Sequence, residues 1–247
     1  MPKKRPGRTP TKVRSTSPAN VLTVRDTRRV LGSDKDWQTE WHPKDMEKVE
    51  GLLWPPIALK YRDRYIRHAP DMEKALQYAP KRRVAFQAGG NVGTWAIYLA
   101  SRFEQVYTVE PDAMNFYCLA RNAWMPNVYK AQAALGEGGS PIAMNFHRNN
   151  IGAHNVIGAG NIPQLKIDDF NLPVLDFMCL DIEGYEVPAL KGAPETLDRC
   201  KPVLQLEDRG HNEKYGNGSF SELVEWLASE FGYREADRVA KDRIFAA

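Results

Sequence analysis

Three cysteines in 247 residues (Cys118, Cys179, Cys200) are too few and too widely spaced for a disulfide framework or a thiolate zinc site. They read as reduced thiols with packing roles, and no metal site follows from Cys or His spacing. No apolar run approaches the roughly 18 residues of a membrane span. The first residues lack the apolar stretch of a secretory signal, so the expectation is a cytoplasmic protein with no membrane partner. There is no internal repeat. Acid is missing from the first 25 residues, which hold seven bases (Lys3, Lys4, Arg5, Arg8, Lys12, Arg14, Arg25) and prolines at 2, 6, 10 and 18. The net charge of +3 therefore hides an asymmetry, because the rest carries 27 Lys and Arg against 31 Asp and Glu. Such a tail cannot bury enough apolar surface to fold, and two roles stay open for it: a solvated terminus or a phosphate-seeking arm for nucleic acid.

What is present falls into three stretches: 1–25 a basic disordered tail, 26–80 an N-terminal helical lobe, and 81–247 the main domain. Apolar residues at three- and four-residue spacing over 58–68 and 70–78 predict helices. Trp37, Trp41 and Trp54 are expected to pack this lobe onto the rest. From Arg83 strands alternate with helices: strands at 84–88, 106–110, 128–134, 174–181 and 203–207, helices at 92–103, 112–123, 187–197 and 220–231. A short extra strand is expected at 143–146, and 233–239 with 243–245 as a closing antiparallel pair. The alternation predicts an α/β, Rossmann-like doubly wound sheet, mostly parallel, with a terminal antiparallel strand pair.

Three motifs carry chemistry. Phe86-Gln87-Ala88-Gly89-Gly90-Asn91-Val92-Gly93 runs from a strand into a helix, where glycine lets the backbone turn and approach a ligand. A dinucleotide fingerprint would need glycine at 91 and 94, and those positions hold Asn91 and Thr94, so a nicotinamide site is excluded. Glu110 ends the second strand, where a nucleotide-binding sheet keeps an acid for ribose hydroxyls. Asp181 and Glu183 end an apolar strand at the sheet edge that binds ligands. They are candidates to accept a proton, and close enough together for a divalent cation. His154, in the polar loop 149–155, is the histidine favoured as base or substrate contact; His42, His68, His147 and His211 have no comparable context. Glu207 and Asp208 end another strand on the same edge.

In their order, Gly89-Gly90-Asn91-Val92-Gly93, Val109-Glu110-Pro111-Asp112, Asn150-Ile151-Gly152-Ala153-His154, Asp181-Ile182-Glu183-Gly184-Tyr185-Glu186 and Leu190-Lys191-Gly192-Ala193 resemble the FkbM family of methyltransferases. The resemblance covers about half the chain. It implies S-adenosyl-L-methionine as methyl donor and O-methylation of a hydroxyl, often on a sugar or secondary metabolite. By the same resemblance Gln87, Gly89, Gly90, Asn91 and Gly93 line the donor's methionine part, Glu110 its ribose and Ala134 its adenine. Asp181, Glu183 or His154 would take the proton from a small-molecule or saccharide acceptor. The family usually has an acid where this sequence has Gln87. That departure motivates a non-catalytic, donor-binding reading, as the basic tail motivates a nucleic-acid acceptor.

Overall fold

The computed structural model describes residues 42–147 and 150–247. The tail 1–25, the start of the lobe and Trp37 and Trp41 lie outside the described residues.

Residues 42–80 are more mixed than a helical lobe. After a 3-10 turn, Pro43–Asp45, comes a hairpin of β1 (Glu47–Val49) and β2 (Leu52–Trp54), its reversal made at Glu50 and Gly51, both with positive φ. It is followed by a 3-10 turn, Pro56–Tyr61, and by α1 (Arg62–His68) and α2 (Met72–Leu76). The hairpin escaped the helical pattern because each strand is only three residues long. Asn122 docks it: the amide donates to the Leu53 carbonyl (2.8 Å) and accepts from the Leu53 N–H (2.7 Å). Trp54 is fully buried and stacks near Tyr65 of α1, centroids 6.4 Å apart.

The main domain then runs β3 (Val84–Ala88), α3 (Thr94–Ala100), β4 (Gln105–Val109), α4 (Ala113–Asn122), β5 (Val128–Ala131), β6 (Ala134–Leu135), β7 (Ile142–Asn145), β8 (Asn155–Ala159), β9 (Gln164–Leu165) and β10 (Phe177–Leu180). It closes with α5 (Glu186–Lys191), α6 (Pro194–Cys200), β11 (Val203–Glu207), α7 (His211–Lys214), α8 (Phe220–Phe231), β12 (Arg234–Val239) and β13 (Asp242–Ala246). Seven strands form one sheet in the order β12-β13-β11-β10-β3-β4-β5. Five neighbours from β11 to β5 are parallel, and β13 and β12 add the antiparallel edge. Alternate residues of β3 face opposite layers: Val84, Phe86 and Ala88 pack with α5, α6 and α8, and Ala85 with α2, α3 and α4. This is the Rossmann-like doubly wound sheet, and its order reverses between β3 and β10, the switch point at which such sheets bind ligands.

Two expected elements come out differently. The strand expected over 128–134 leaves the sheet after Ala131, and its end, β6, pairs with β9 instead. The helix expected over 187–197 is broken at Gly192, where a Cβ would lie 2.0 Å from the Gly136 carbonyl oxygen, and Pro194 restarts it as α6.

Asp176 pins the start of β3 to that of β10. Its buried carboxylate accepts from the Arg83 N–H (2.8 Å) and from the Arg83 guanidinium (2.5 Å). Burial alone would raise its pKa, but the Arg83 bonds outweigh that and hold it below the usual range. A carboxylate with a lowered pKa stabilises the fold above its unfolded pKa and loses that contribution as pH falls through the folded one. Asp176→Ala is therefore expected to cost about 1–3 kcal/mol in urea unfolding at pH 7. The deficit should shrink as pH is lowered through the carboxylate range.

Candidate functional site

At the switch point the turns after β3 and β10 touch. Gly89 has φ +81, and a Cβ there would lie 1.9 Å from the Asp181 carbonyl oxygen, so only glycine fits. The next residues fold onto β4: Gly90 N–H donates to the Val109 carbonyl (2.9 Å) and Asn91 N–H to Glu110 Oε2 (2.7 Å). Glu110 Oε1 accepts from the Asp112 N–H (2.8 Å). Two backbone donors thus fix the Glu110 carboxyl. Burial, with the neighbouring Asp112 charge adding, pushes the Glu110 carboxyl up to about 8.

A cavity of about 370 Å³ opens above this crossing. Gly89, Gly90, Asn91, Glu110, Ala134, His154, Asp181 and Glu183, all expected from sequence, line it. Gln87 and Gly93 do not. Gln87 is fully buried beneath the loop, donating to the Ala88 (3.1 Å) and Gly89 (2.8 Å) carbonyls and accepting from the Thr108 hydroxyl (2.6 Å). In the place expected to be acidic, the amide braces the glycine turn from below. Gly93 has φ +96 and faces Leu119 of α4. Gly90 faces inward as well, since a Cβ would meet Leu119 at 2.8 Å and Thr108 at 3.0 Å. A side chain there would disrupt the packing under the loop and not fill a ligand's path.

The turn after β10 is built by Glu186. Its carboxylate, fully buried and raised to about 7 by that burial, accepts from the Ile182 N–H (3.0 Å) and the Asn212 amide (2.7 Å). Asn217 holds the same turn by donating to the Gly184 carbonyl (2.7 Å). Glu183 is thereby kept at φ +54, a conformation that costs a non-glycine residue on the order of 1–3 kcal/mol and marks a constrained site.

Five ionisable groups meet here. Burial raises the Asp181 carboxyl, which interacts with that of Glu207 beside it. Burial and the charges of Asp181 and Glu183 raise Glu207, although Arg209 lies 2.5 Å from it. Glu183 is raised by burial and by Asp181, and its Oε2 lies 3.1 Å from His211 Nδ1. Burial, with Lys214 and Arg209 adding, lowers His211 and favours its neutral form. Ligand atoms of Glu183, Glu207 and His211 lie within 4.8 Å of one another, a spacing that can hold a divalent cation. His154 is placed otherwise. Its Nδ1 accepts from the His147 N–H (3.0 Å), and burial lowers its pKa to about 4. The Nδ1 lone pair a base needs is already used by that bond. Asp208 does not line the cavity and pairs with Arg243 (3.2 Å).

Sequence reasoning missed Arg64, Tyr65 and His68 on α1, Arg209 and His211 beyond β11, and Asp242 on β13, all lining the cavity. The Tyr65 hydroxyl donates to Asn150 Oδ1 (3.0 Å), tying α1 to the loop that carries His154. A weak signal existed: His211 follows the strand-ending Glu207 by four residues.

The FkbM methyltransferase domain profile matches residues 87–235, more than half the chain and the whole of the crossing just described. This chain belongs to the FkbM methyltransferase family. Solved structures with similar folds include a methyltransferase FkbM from Methylobacillus flagellatus KT, at 20% identity over 67% of this chain and 44% of that one, TM-score 0.46. They also include CalS10, an amino pentose methyltransferase from Micromonospora echinaspora, at 16% identity over 60% of this chain and 53% of that one, TM-score 0.37. NodS, an N-methyltransferase from Bradyrhizobium japonicum WM9, is 10% identical over 75% of this chain and 93% of that one, TM-score 0.42. This chain thus spans less than half the length of the Methylobacillus protein. No curated protein matches it. Among the described residues no helix is long and apolar enough to cross a membrane.

The Glu110 environment has a thermodynamic consequence. A carboxyl raised to about 8 keeps its proton in the folded state where the unfolded chain has lost it. Its contribution to stability is full below the unfolded pKa and lost as pH rises through about 8. Ligand-free protein should therefore melt at progressively lower temperature from about pH 5 to pH 9. Glu110→Gln should flatten that slope, as scanning calorimetry across the range would show.

Proposed function

We propose that this FkbM-family protein uses S-adenosyl-L-methionine to methylate a hydroxyl oxygen of a sugar or sugar-like acceptor. One observation carries the reading: a single cavity joins the Gly89–Asn91 turn and Glu110 to the carboxylates of Asp181 and Glu183. The donor set fits the chemistry of an adenosyl ligand. Glu110 offers its carboxyl to the ribose hydroxyls, and Ala133, Ala134 and Leu135 line the same cavity as apolar wall. When bound, the donor supplies a methyl carbon on a sulfonium, open to in-line displacement.

The protein's own part is then alignment and proton removal. Glu183 takes the acceptor proton. Its raised pKa makes it a stronger base than an ordinary carboxylate, and His211, whose neutral form is favoured, lies 3.1 Å away. Asp181 and Glu207 line the same cavity and can hydrogen-bond neighbouring hydroxyls. The choice of oxygen and of a sugar-like acceptor comes from the family resemblance. Residue Gln87, which motivated a non-catalytic reading, lies under the turn and removes no group from the cavity.

Calorimetric titration should show one-to-one binding of S-adenosylhomocysteine and none of NAD. Transfer of a labelled methyl group to a panel of hydroxyl acceptors should fall at least about 100-fold in Glu183→Gln, the range of general-base contributions. Product-ligand affinity should be unchanged in that variant, and the wild-type rate should rise with pH to values above the ordinary carboxylate range. Nitrogen-bearing acceptors turned over in preference to hydroxyls would refute the choice of oxygen.

A further inference from the structure

Beside the methyl-transfer cavity lies a second cleft of about 520 Å³, within the range of small-ligand sites. It runs between the β7–β8 hairpin and the turn Tyr215 to Asn217 after α7. The two cavities adjoin at Tyr185 and Val156, which line both. Tyr185 follows Glu183, which lines the first cavity, by two residues.

The linings differ in kind. The first cavity carries Arg64, Asp71, Glu183, Glu207, Arg209 and Asp242. Among the described residues no charged side chain lines the second; its polar groups are the neutral side chains of Ser140, Asn155, Gln164, Tyr185, Tyr215 and Asn217. Lys214 stands next to it, with its ammonium held by the Tyr215 hydroxyl at 3.3 Å. A phosphate, carboxylate or ammonium entering this cleft would lose water and meet no charged group among its described lining residues. A neutral polyhydroxy ring would meet what it needs. Gln164 donates to the Tyr185 hydroxyl (3.2 Å), which leaves Gln164 Oε1 and the Tyr185 proton to engage hydroxyls. Asn217 is anchored through its NH₂ on Gly184, which leaves Oδ1 as an acceptor. Ile157, 63% exposed at the rim, and half-buried Val156 add apolar surface for a ring's C–H face.

We propose that this cleft is a second acceptor subsite that holds the adjoining neutral sugar unit of an oligosaccharide whose reactive hydroxyl lies at Glu183. The substrate is then an extended neutral glycan rather than a monosaccharide or a charged metabolite. The inference rests on the methyltransferase reading of the first cavity and deepens it.

Binding of the full chain, without donor, to a printed array of neutral, sialylated and phosphorylated oligosaccharides and of monosaccharides tests it. Neutral oligosaccharides should bind, and monosaccharides at least about tenfold more weakly. Ser140→Trp, which fills the cleft from an exposed turn, and Tyr215→Ala should each weaken that binding about tenfold, a change of about 1.4 kcal/mol. Calorimetric affinity for S-adenosylhomocysteine, read in parallel, should be unchanged in both variants and reports that they are folded. No neutral oligosaccharide retained, charged glycans preferred, or wild-type glycan binding in both folded variants would overturn the subsite. Loss of S-adenosylhomocysteine binding by the wild type would instead overturn the donor reading, and the array still decides the subsite.

Discussion

The site depends on one backbone contact, the crossing of Gly89 over the Asp181 carbonyl. Two parallel neighbours, β3 and β10, end side by side, and their chains must leave the sheet in opposite directions. Glycine with positive φ lets the first turn lie against the second with no side chain between them. Everything functional is hung from that contact. Glu110 holds the first turn by its Asn91 N–H, and Glu186 holds the second by its Ile182 N–H. Gln87 fills the space beneath with three hydrogen bonds of its own.

The same contact explains why so many carboxylates keep high proton affinity. Parallel strands deliver their C-terminal residues to one edge, so Asp181, Glu183 and Glu207 arrive together, and Asp242 joins them from the antiparallel strand β13. Burial disfavours their ionised forms, and each charge disfavours the next. Arg209 offsets part of this. A cluster so poised can hold and release protons near neutral pH, which a surface carboxylate does not do.

Much of this was legible in the chain. Strand β3 and helix α8 have the boundaries their apolar patterns and glycines announce, and the glycine turn, Glu110 and the 181–186 motif pointed to one edge of one sheet. What could not be read arises at a distance. The hairpin β1–β2 is too short to show a period and is held by Asn122, far along the chain. The break at Gly192 answers the Gly136 carbonyl, and the inward-facing Gln87, Gly90 and Gly93 follow from packing on Thr108 and Leu119. His154 had the right loop, but its ring turns to the His147 N–H, and His211 takes the place beside Glu183 because α7 brings it there.

The central claim is that the crossing and Glu110 form the seat of an adenosyl donor whose reacting end faces the 181–183 turn. A crystal structure grown with S-adenosylhomocysteine tests it most directly. The account predicts both ribose hydroxyls within hydrogen-bonding distance of Glu110 and the sulfur directed at Asp181 and Glu183. Ligand density elsewhere on the protein, or a ribose turned away from Glu110, would contradict it.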